Sequence, residues 1–135
     1  MINKKVLVVG FGLSGNAAVQ FLKARNKTVW QVDTHQEIKN WTEIEQVVIS
    51  PGISLETPLL KAANAAKIAI IGEVELGLQA LALQHRIIGI TGTNGKTTVT
   101  SLVTFVLNYW QKKAAALGNI GNCVTSYQEI AAEIL

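Results

Sequence analysis

The chain has 135 residues, 49% of them hydrophobic and 16% charged, with a formal net charge of +3 and a pI near 9.1. Its lysines and arginines are scattered, apart from the pairs Lys4-Lys5 and Lys112-Lys113, which argues against nucleic acid as a partner and favours small anions. Apolar stretches such as residues 97–111 are broken by Thr, Ser and Asn, so no membrane span is expected; the absence of a secretory pattern after Met1 and a single Cys123 predict a cytoplasmic location.

Val6–Val9 is an uninterrupted apolar run of buried-strand type. It opens into Gly10-Phe11-Gly12-Leu13-Ser14-Gly15, and a helical pattern follows through Arg25. In such a Gly-x-Gly-x-x-Gly turn the first glycine permits the tight bend, Gly12 lets a backbone approach a pyrophosphate, and Gly15 lets the helix pack closely on the strand. A second strand, Thr28–Asp33, ends in an acid near the position, about 20 residues on, where a dinucleotide fold places its ribose-binding carboxylate. On residues alone the module fits NAD, or the pyrophosphate of another nucleotide. It also fits a packing role in which Asp33 merely closes a turn.

Residues 34–45 read as irregular, with room for a short helix. Gln46–Ser50 is a third strand, ended by Pro51-Gly52. Thr57 before Pro58 reads as a helix cap followed by proline at the first helical position, with the helix running to about Ala66. Lys67–Ile71 is a fourth strand, closed by Gly72, and Glu73 to about Leu83 is helical. This alternation predicts an α/β fold, a small Rossmann-like open sheet over residues 1–85. The boundary falls at Gln84-His85-Arg86.

Arg86–Thr91 predicts a strand leading into Gly92-Thr93-Asn94-Gly95-Lys96-Thr97-Thr98, with a helical pattern from Val99. Strand, glycine turn and helix start make a phosphate-binding loop: backbone N–H groups from Gly92, Thr93, Asn94 and Gly95 meet an anion, Lys96 reaches the outer phosphates, and Thr97 ligates magnesium. A nucleoside triphosphate with Mg2+ is therefore the expected ligand. Thr98 joins a phosphate or metal water, or caps the helix. The general pattern has a glycine where this chain has Ile90, so the match is to the narrower wording Thr91–Thr98. Val99, Leu102, Val103, Val106, Leu107 and Trp110 keep helical spacing and are expected in a core. Lys113–Leu117 predicts another strand before Gly118-Asn119-Ile120-Gly121, and a last helical stretch runs to Leu135. Residues 86–135 thus read as the opening of a second, phosphate-loop domain. His35 reads as solvated, and His85 and Cys123 receive no role.

The phosphate-loop wording resembles the ATP-dependent Mur ligases of peptidoglycan synthesis and their folylpolyglutamate synthetase relatives. With the Gly10–Gly15 turn, Val32-Asp33-Thr34, Ser50-Pro51-Gly52-Ile53, Gly72-Glu73-Val74-Glu75-Leu76 and Gly118-Asn119-Ile120-Gly121 in the same order, the resemblance to the Mur ligases covers essentially the whole chain. Leu13, where the L-alanine-adding members usually have a further glycine, favours the D-glutamate-adding branch. The resemblance implies that the first unit holds the UDP of UDP-N-acetylmuramoyl-L-alanine and that residues 86–135 are the incomplete start of a P-loop ATPase domain that takes ATP with Mg2+. Gly12, Leu13 and Ser14 would lie on the pyrophosphate and Asp33, Thr34 and Gly52 around the uracil. Asn119 would reach the muramoyl or pyrophosphate portion, or serve only as a turn residue. Lys96 and Thr97 would be the catalytic pair, in a reaction that activates the substrate carboxylate as an acyl phosphate for attack by D-glutamate. The family's other metal-binding residues and its amino-acid-binding domain lie outside these 135 residues. The expectation is an N-terminal fragment, inactive alone, of an enzyme that is monomeric at full length. The readings kept beside it are an NAD(P)-dependent oxidoreductase domain and a nucleotide-binding module without chemistry.

Overall fold

A computed structural model describes residues 4–118, 120–127 and 132–135. The apolar runs form four parallel strands, β1 (Lys5–Val9), β2 (Val29–Val32), β3 (Ile44–Ile49) and β4 (Ala69–Gly72), in the order β2-β1-β3-β4. Three helices cover them: α1 (Leu13–Ala24), α2 (Pro58–Ala65) and α3 (Glu73–Leu81). Because side chains alternate along a strand, β1 and β3 divide their residues between two cores. Val6, Val8 and Val48 pack with Phe21, Leu22 and Leu76 from α1 and α3. Leu7, Val9 and Val47 face Leu59, Leu60 and Ala63 of α2. Burial on both faces is why these strands read as continuous apolar runs rather than alternating ones.

The strand order reverses between β1 and β3, with β2 to one side and β4 to the other. Such a switch point opens a crevice at the carboxyl ends of the strands. Here those ends are Gly10 and Ser50, and Ser50 N–H donates to the Val9 carbonyl at 3.2 Å. The small Rossmann-like sheet expected from the sequence is therefore present. The irregular stretch contains a 3-10 turn at Trp41–Glu43, capped by Asn40, whose side chain accepts from Thr42 N–H. Thr57 occupies the cap position of α2 with Pro58 following, but makes no side-chain capping bond.

Residues 86–135 depart from expectation. Helix α4 spans Lys96–Tyr109, starting three residues before Val99. No regular strand forms over Arg86–Thr91 or Lys113–Leu117; instead Arg86 and Ala114 each make an isolated parallel bridge to Ile134. Glu133, Ile134 and Leu135, expected to be helical, are not helical and lie between these segments, with Leu135 N–H donating to the Arg86 carbonyl at 2.8 Å and Ala115 N–H to the Ile134 carbonyl at 3.0 Å. A parallel ladder needs partners along its length, and only this short pairing is present among the described residues. The core expected from α4 is likewise missing. None of its residues is buried, and Leu102 and Trp110 are 59% and 66% exposed. A groove of about 330 Å³ separates its inner side from Ile87, Ile88, Ala115 and Leu117. No helix among the described residues is long and apolar enough to cross a membrane.

Candidate functional site

The first glycine turn is shaped by backbone contacts that side chains would obstruct. Gly10 has φ +109°, and a Cβ there would lie 2.7 Å from Ser50 Oγ; a Cβ on Gly15 would run into the Gly10 carbonyl. Gly12 differs, since nothing lies within 4 Å of where its Cβ would be. It is the extended residue preceding α1, with no side-chain cap. The first helical bond runs from Asn16 N–H to the Gly12 carbonyl at 3.0 Å. The N–H groups of Leu13, Ser14 and Gly15 thus precede that ladder and belong to the positive end of the helix. Gln31 braces the turn from β2: its Nε2 donates to the Gly10 carbonyl and to Asn16 Oδ1, each at 2.9 Å.

Asp33 and Thr34 follow β2 at the same sheet edge. The Thr34 hydroxyl donates to Asp33 Oδ1 at 2.9 Å. That bond, with the backbone N–H groups of Thr34 and His35, holds the exposed Asp33 carboxyl below the usual carboxylate range. The Asp33 carbonyl also accepts from Gln36 N–H at 3.1 Å, closing a turn. Gly52, at the end of β3, has φ +86° and open space around it. Parallel strands bring these residues to one edge of the sheet with Gly12, Leu13 and Ser14.

In the second loop Gly92 has φ +153° and Gly95 φ +77°. A Cβ on Gly92 would face the Asn94 carbonyl at 3.6 Å and Lys96 Cγ at 3.9 Å, occupying the hollow of the loop. The Lys96 ammonium folds over it, donating to the Gly92 carbonyl and to the Thr93 carbonyl at 3.4 Å. The first bond of α4 runs from Val99 N–H to the Gly95 carbonyl at 2.9 Å. Lys96, Thr97 and Thr98 N–H are consequently the free donors of a helix end. The earlier start of α4 follows from this: Gly95 is the cap, in a left-handed conformation, and no side chain caps the helix. Thr98 is therefore not a capping residue. All of residues 91–99 are exposed. The glycine-lined hollow, the ammonium beside it and the outward N–H groups suit a polyphosphate. Thr97 offers a hydroxyl of the kind that joins phosphate oxygens around Mg2+. Among the described residues no three His, Cys, Asp or Glu side chains cluster as a metal site.

A small cleft of about 110 Å³ is lined by Leu13, Ser14, Pro51, Glu73, Gly118 and Gly121. Cys123 lines it too, its Sγ 3.7 Å from Ser14 Oγ. The structure thus brings Gly118 and Gly121 to the Leu13–Ser14 turn, while Asn119 lies outside the described residues. Sequence reasoning did not single out Glu73 or Cys123 as neighbours of this turn. His85, also left without a role, has its Nδ1 2.8 Å from the Ala132 carbonyl and its ring edge-on to Tyr127. Burial pushes the Tyr127 hydroxyl upward in pKa.

A parallel sheet with helices on both faces, a glycine turn at its switch point and a glycine loop running into Lys96 and α4 define an α/β protein of the doubly wound class. Its fold is similar to that of the solved UDP-N-acetylmuramate-alanine ligase MurC of Thermotoga maritima, with a TM-score of 0.52 and 20% identity over 82% of this chain and 30% of that one. No family model matches the sequence. Its relatives are UDP-N-acetylmuramoylalanine–D-glutamate ligases. That of Protochlamydia amoebophila is 41% identical, over 95% of this chain and 35% of the ligase. The Pasteurella multocida ligase is 39% identical, over 88% of this chain and 31% of its own length. The Chlamydia muridarum ligase is 34% identical, over 87% and 32%. The likeness read from the motifs is borne out: along nearly its whole length the chain is similar to the D-glutamate-adding Mur ligases, and it spans about a third of theirs.

Proposed function

We propose that this chain supplies the substrate-nucleotide unit and the phosphate loop of a peptidoglycan-precursor ligase, one that joins D-glutamate to UDP-N-acetylmuramoyl-L-alanine at the expense of ATP. The observation that carries the reading is the pairing, in one chain, of a glycine turn open above Gly12 with a second loop over whose hollow Lys96 is folded. The same proposal divides the chain into residues 1–85 and 86–135 and takes the full-length enzyme to be a cytoplasmic monomer.

On this reading Leu13 and Ser14 N–H donate to the UDP pyrophosphate at the start of α1. The Asp33 carboxylate accepts from the uracil N–H, Thr34 and Gly52 border the ring, and Asn119 reaches the muramoyl side. At the second loop Gly92, Thr93, Asn94 and Gly95 surround the ATP phosphates and Thr98 N–H extends that cradle. Lys96 exchanges its carbonyl partners for β- and γ-phosphate oxygens. Thr97 would hold magnesium, which when bound offsets phosphate charge. The work of these residues is alignment and charge neutralisation in phosphoryl transfer to the substrate carboxylate. The isolated 135 residues are expected not to ligate, since they match only about a third of the length of the similar ligases. An intact ligase carrying this chain tests the reading. It should release phosphate and yield the D-glutamyl product by mass spectrometry, and Lys96→Ala should abolish most turnover with little effect on folding. Turnover within a few-fold of wild type in that variant would remove Lys96 from the catalytic machinery.

A further inference from the structure

Helix α3 turns a stripe of Glu73, Gly77 and Leu81, one on each successive turn, toward the later part of the chain. Glu73 is only 3% exposed. Its Oε1 accepts from both the backbone N–H and the hydroxyl of Thr125, each at 2.6 Å. Thr125 is itself completely buried. One turn on, Gly77 lies so close to the 3-10 turn Val124–Ser126 that a Cβ would stand 2.5 Å from Val124 Cγ1. A turn further, Leu81 shares a small core with Val124, Tyr127 and Ala132.

Packing alone does not call for an acid at this place. A buried carboxylate carries a desolvation cost that an apolar side chain of similar size avoids. What the carboxylate adds is direction, because two charge-assisted bonds to one residue fix the register of the 3-10 turn on α3. Its position at the first residue of α3 also sets the charge against the positive end of that helix. Glu73 lines the cleft between the Leu13–Ser14 turn and the Gly118–Gly121 loop.

We propose that Glu73 and Thr125 form a clasp that holds the Gly118–Gly121 loop against the Leu13–Ser14 turn and so sets the width of the cleft receiving the substrate diphosphate. This rests on the reading of that cleft as the UDP site. Both are positioning residues, acting on the ligand through the loop they anchor.

The test uses the full 135-residue chain, with UDP and iodoacetamide as probes, since Cys123 is its one cysteine and lines the same cleft. Thr125→Val removes the hydroxyl at nearly constant shape, and Thr125→Ser keeps it. Glu73→Gln, which retains an acceptor oxygen, covers the case in which Thr125→Val does not fold. Leu81→Ala loosens the adjoining core without touching the clasp. At a temperature where circular dichroism finds the proteins folded, Thr125→Val should bind UDP about tenfold more weakly, as expected for one lost charge-assisted hydrogen bond. Its Cys123 should alkylate several-fold faster. Glu73→Gln should show losses in the same direction, Thr125→Ser should restore both readouts, and Leu81→Ala should move neither. Wild-type affinity and alkylation in Thr125→Val, or equal changes in Leu81→Ala, would overturn the clasp. Alkylation without nucleotide separates the two claims. A wild-type chain that ignores UDP refutes the UDP cleft, whereas faster alkylation in Thr125→Val upholds the clasp regardless.

Discussion

Gly12 and Gly15 stand three residues apart in one turn and are glycines for different reasons. Gly15 is required by its neighbours, because a Cβ would strike the Gly10 carbonyl and crowd Ser50 Oγ at 2.9 Å. Gly12 has an ordinary φ of −74° and open space, so only an approaching ligand would be obstructed there. Gly15→Ala should therefore cost about 1–3 kcal/mol of stability by overpacking, measured by denaturant unfolding. Gly12→Ala should unfold like wild type yet bind UDP poorly. The packing role of Gly15 was legible because it belongs to the backbone of a known turn. The bond from Thr34 to Asp33 was not, since the hydroxyl's choice of the neighbouring carboxylate depends on rotamers. It has a pH signature: a carboxyl depressed in the folded state stabilises above its unfolded pKa, and that contribution disappears as pH falls through the folded value. A carboxyl NMR titration should find the Asp33 midpoint below the ordinary carboxylate value, and Thr34→Val should bring it back up. Glu73 escaped notice for a further reason, its partner being 52 residues away.

At the scale of elements, β1 to β4 and α1 to α3 could be read because each is an apolar segment closed by its own punctuation, such as Pro51-Gly52 or Thr57-Pro58. Boundaries moved where the glycine turns donate residues to helices: α1 begins at Leu13 and encloses Gly15, and α4 begins at Lys96. The segment Arg86–Thr91 has strand composition but, among the described residues, pairs only through a bridge at Arg86 and a bond from Ile88 N–H to the Leu135 carbonyl, because strand formation depends on partners as much as on residue type. The helical spacing of Val99, Leu102, Val103, Val106, Leu107 and Trp110 correctly gave a helix and wrongly gave a core. Periodicity reports the face that a helix offers, whether or not it is covered. Hydrogen exchange on the chain checks this difference. Amides of α4 should exchange well before those of β1 and β3, since none of its residues is buried. Protection in α4 equal to that of β1 would mean that its apolar face is covered.

Over the whole molecule, the proposed function rests on where the strand order reverses. The switch point between β1 and β3 places Gly12–Ser14 at a crevice, β2 brings Asp33 and Thr34 to the same edge, and the loop from Gly118 to Gly121 closes one side. A dinucleotide and a UDP-linked sugar make competing demands on that crevice. Asp33 would accept from a ribose hydroxyl in the first case and from the uracil N–H in the second. Fold alone does not choose between them; the phosphate loop following the sheet and the similarity to D-glutamate-adding ligases favour the second. The most direct measurement is a calorimetric titration of the 135-residue chain with UDP and with NAD, repeated on Asp33→Ala. The account predicts tighter binding of UDP than of NAD, with the UDP affinity falling in the variant. Tighter binding of NAD, lost on Asp33→Ala, would contradict it and point to an oxidoreductase domain.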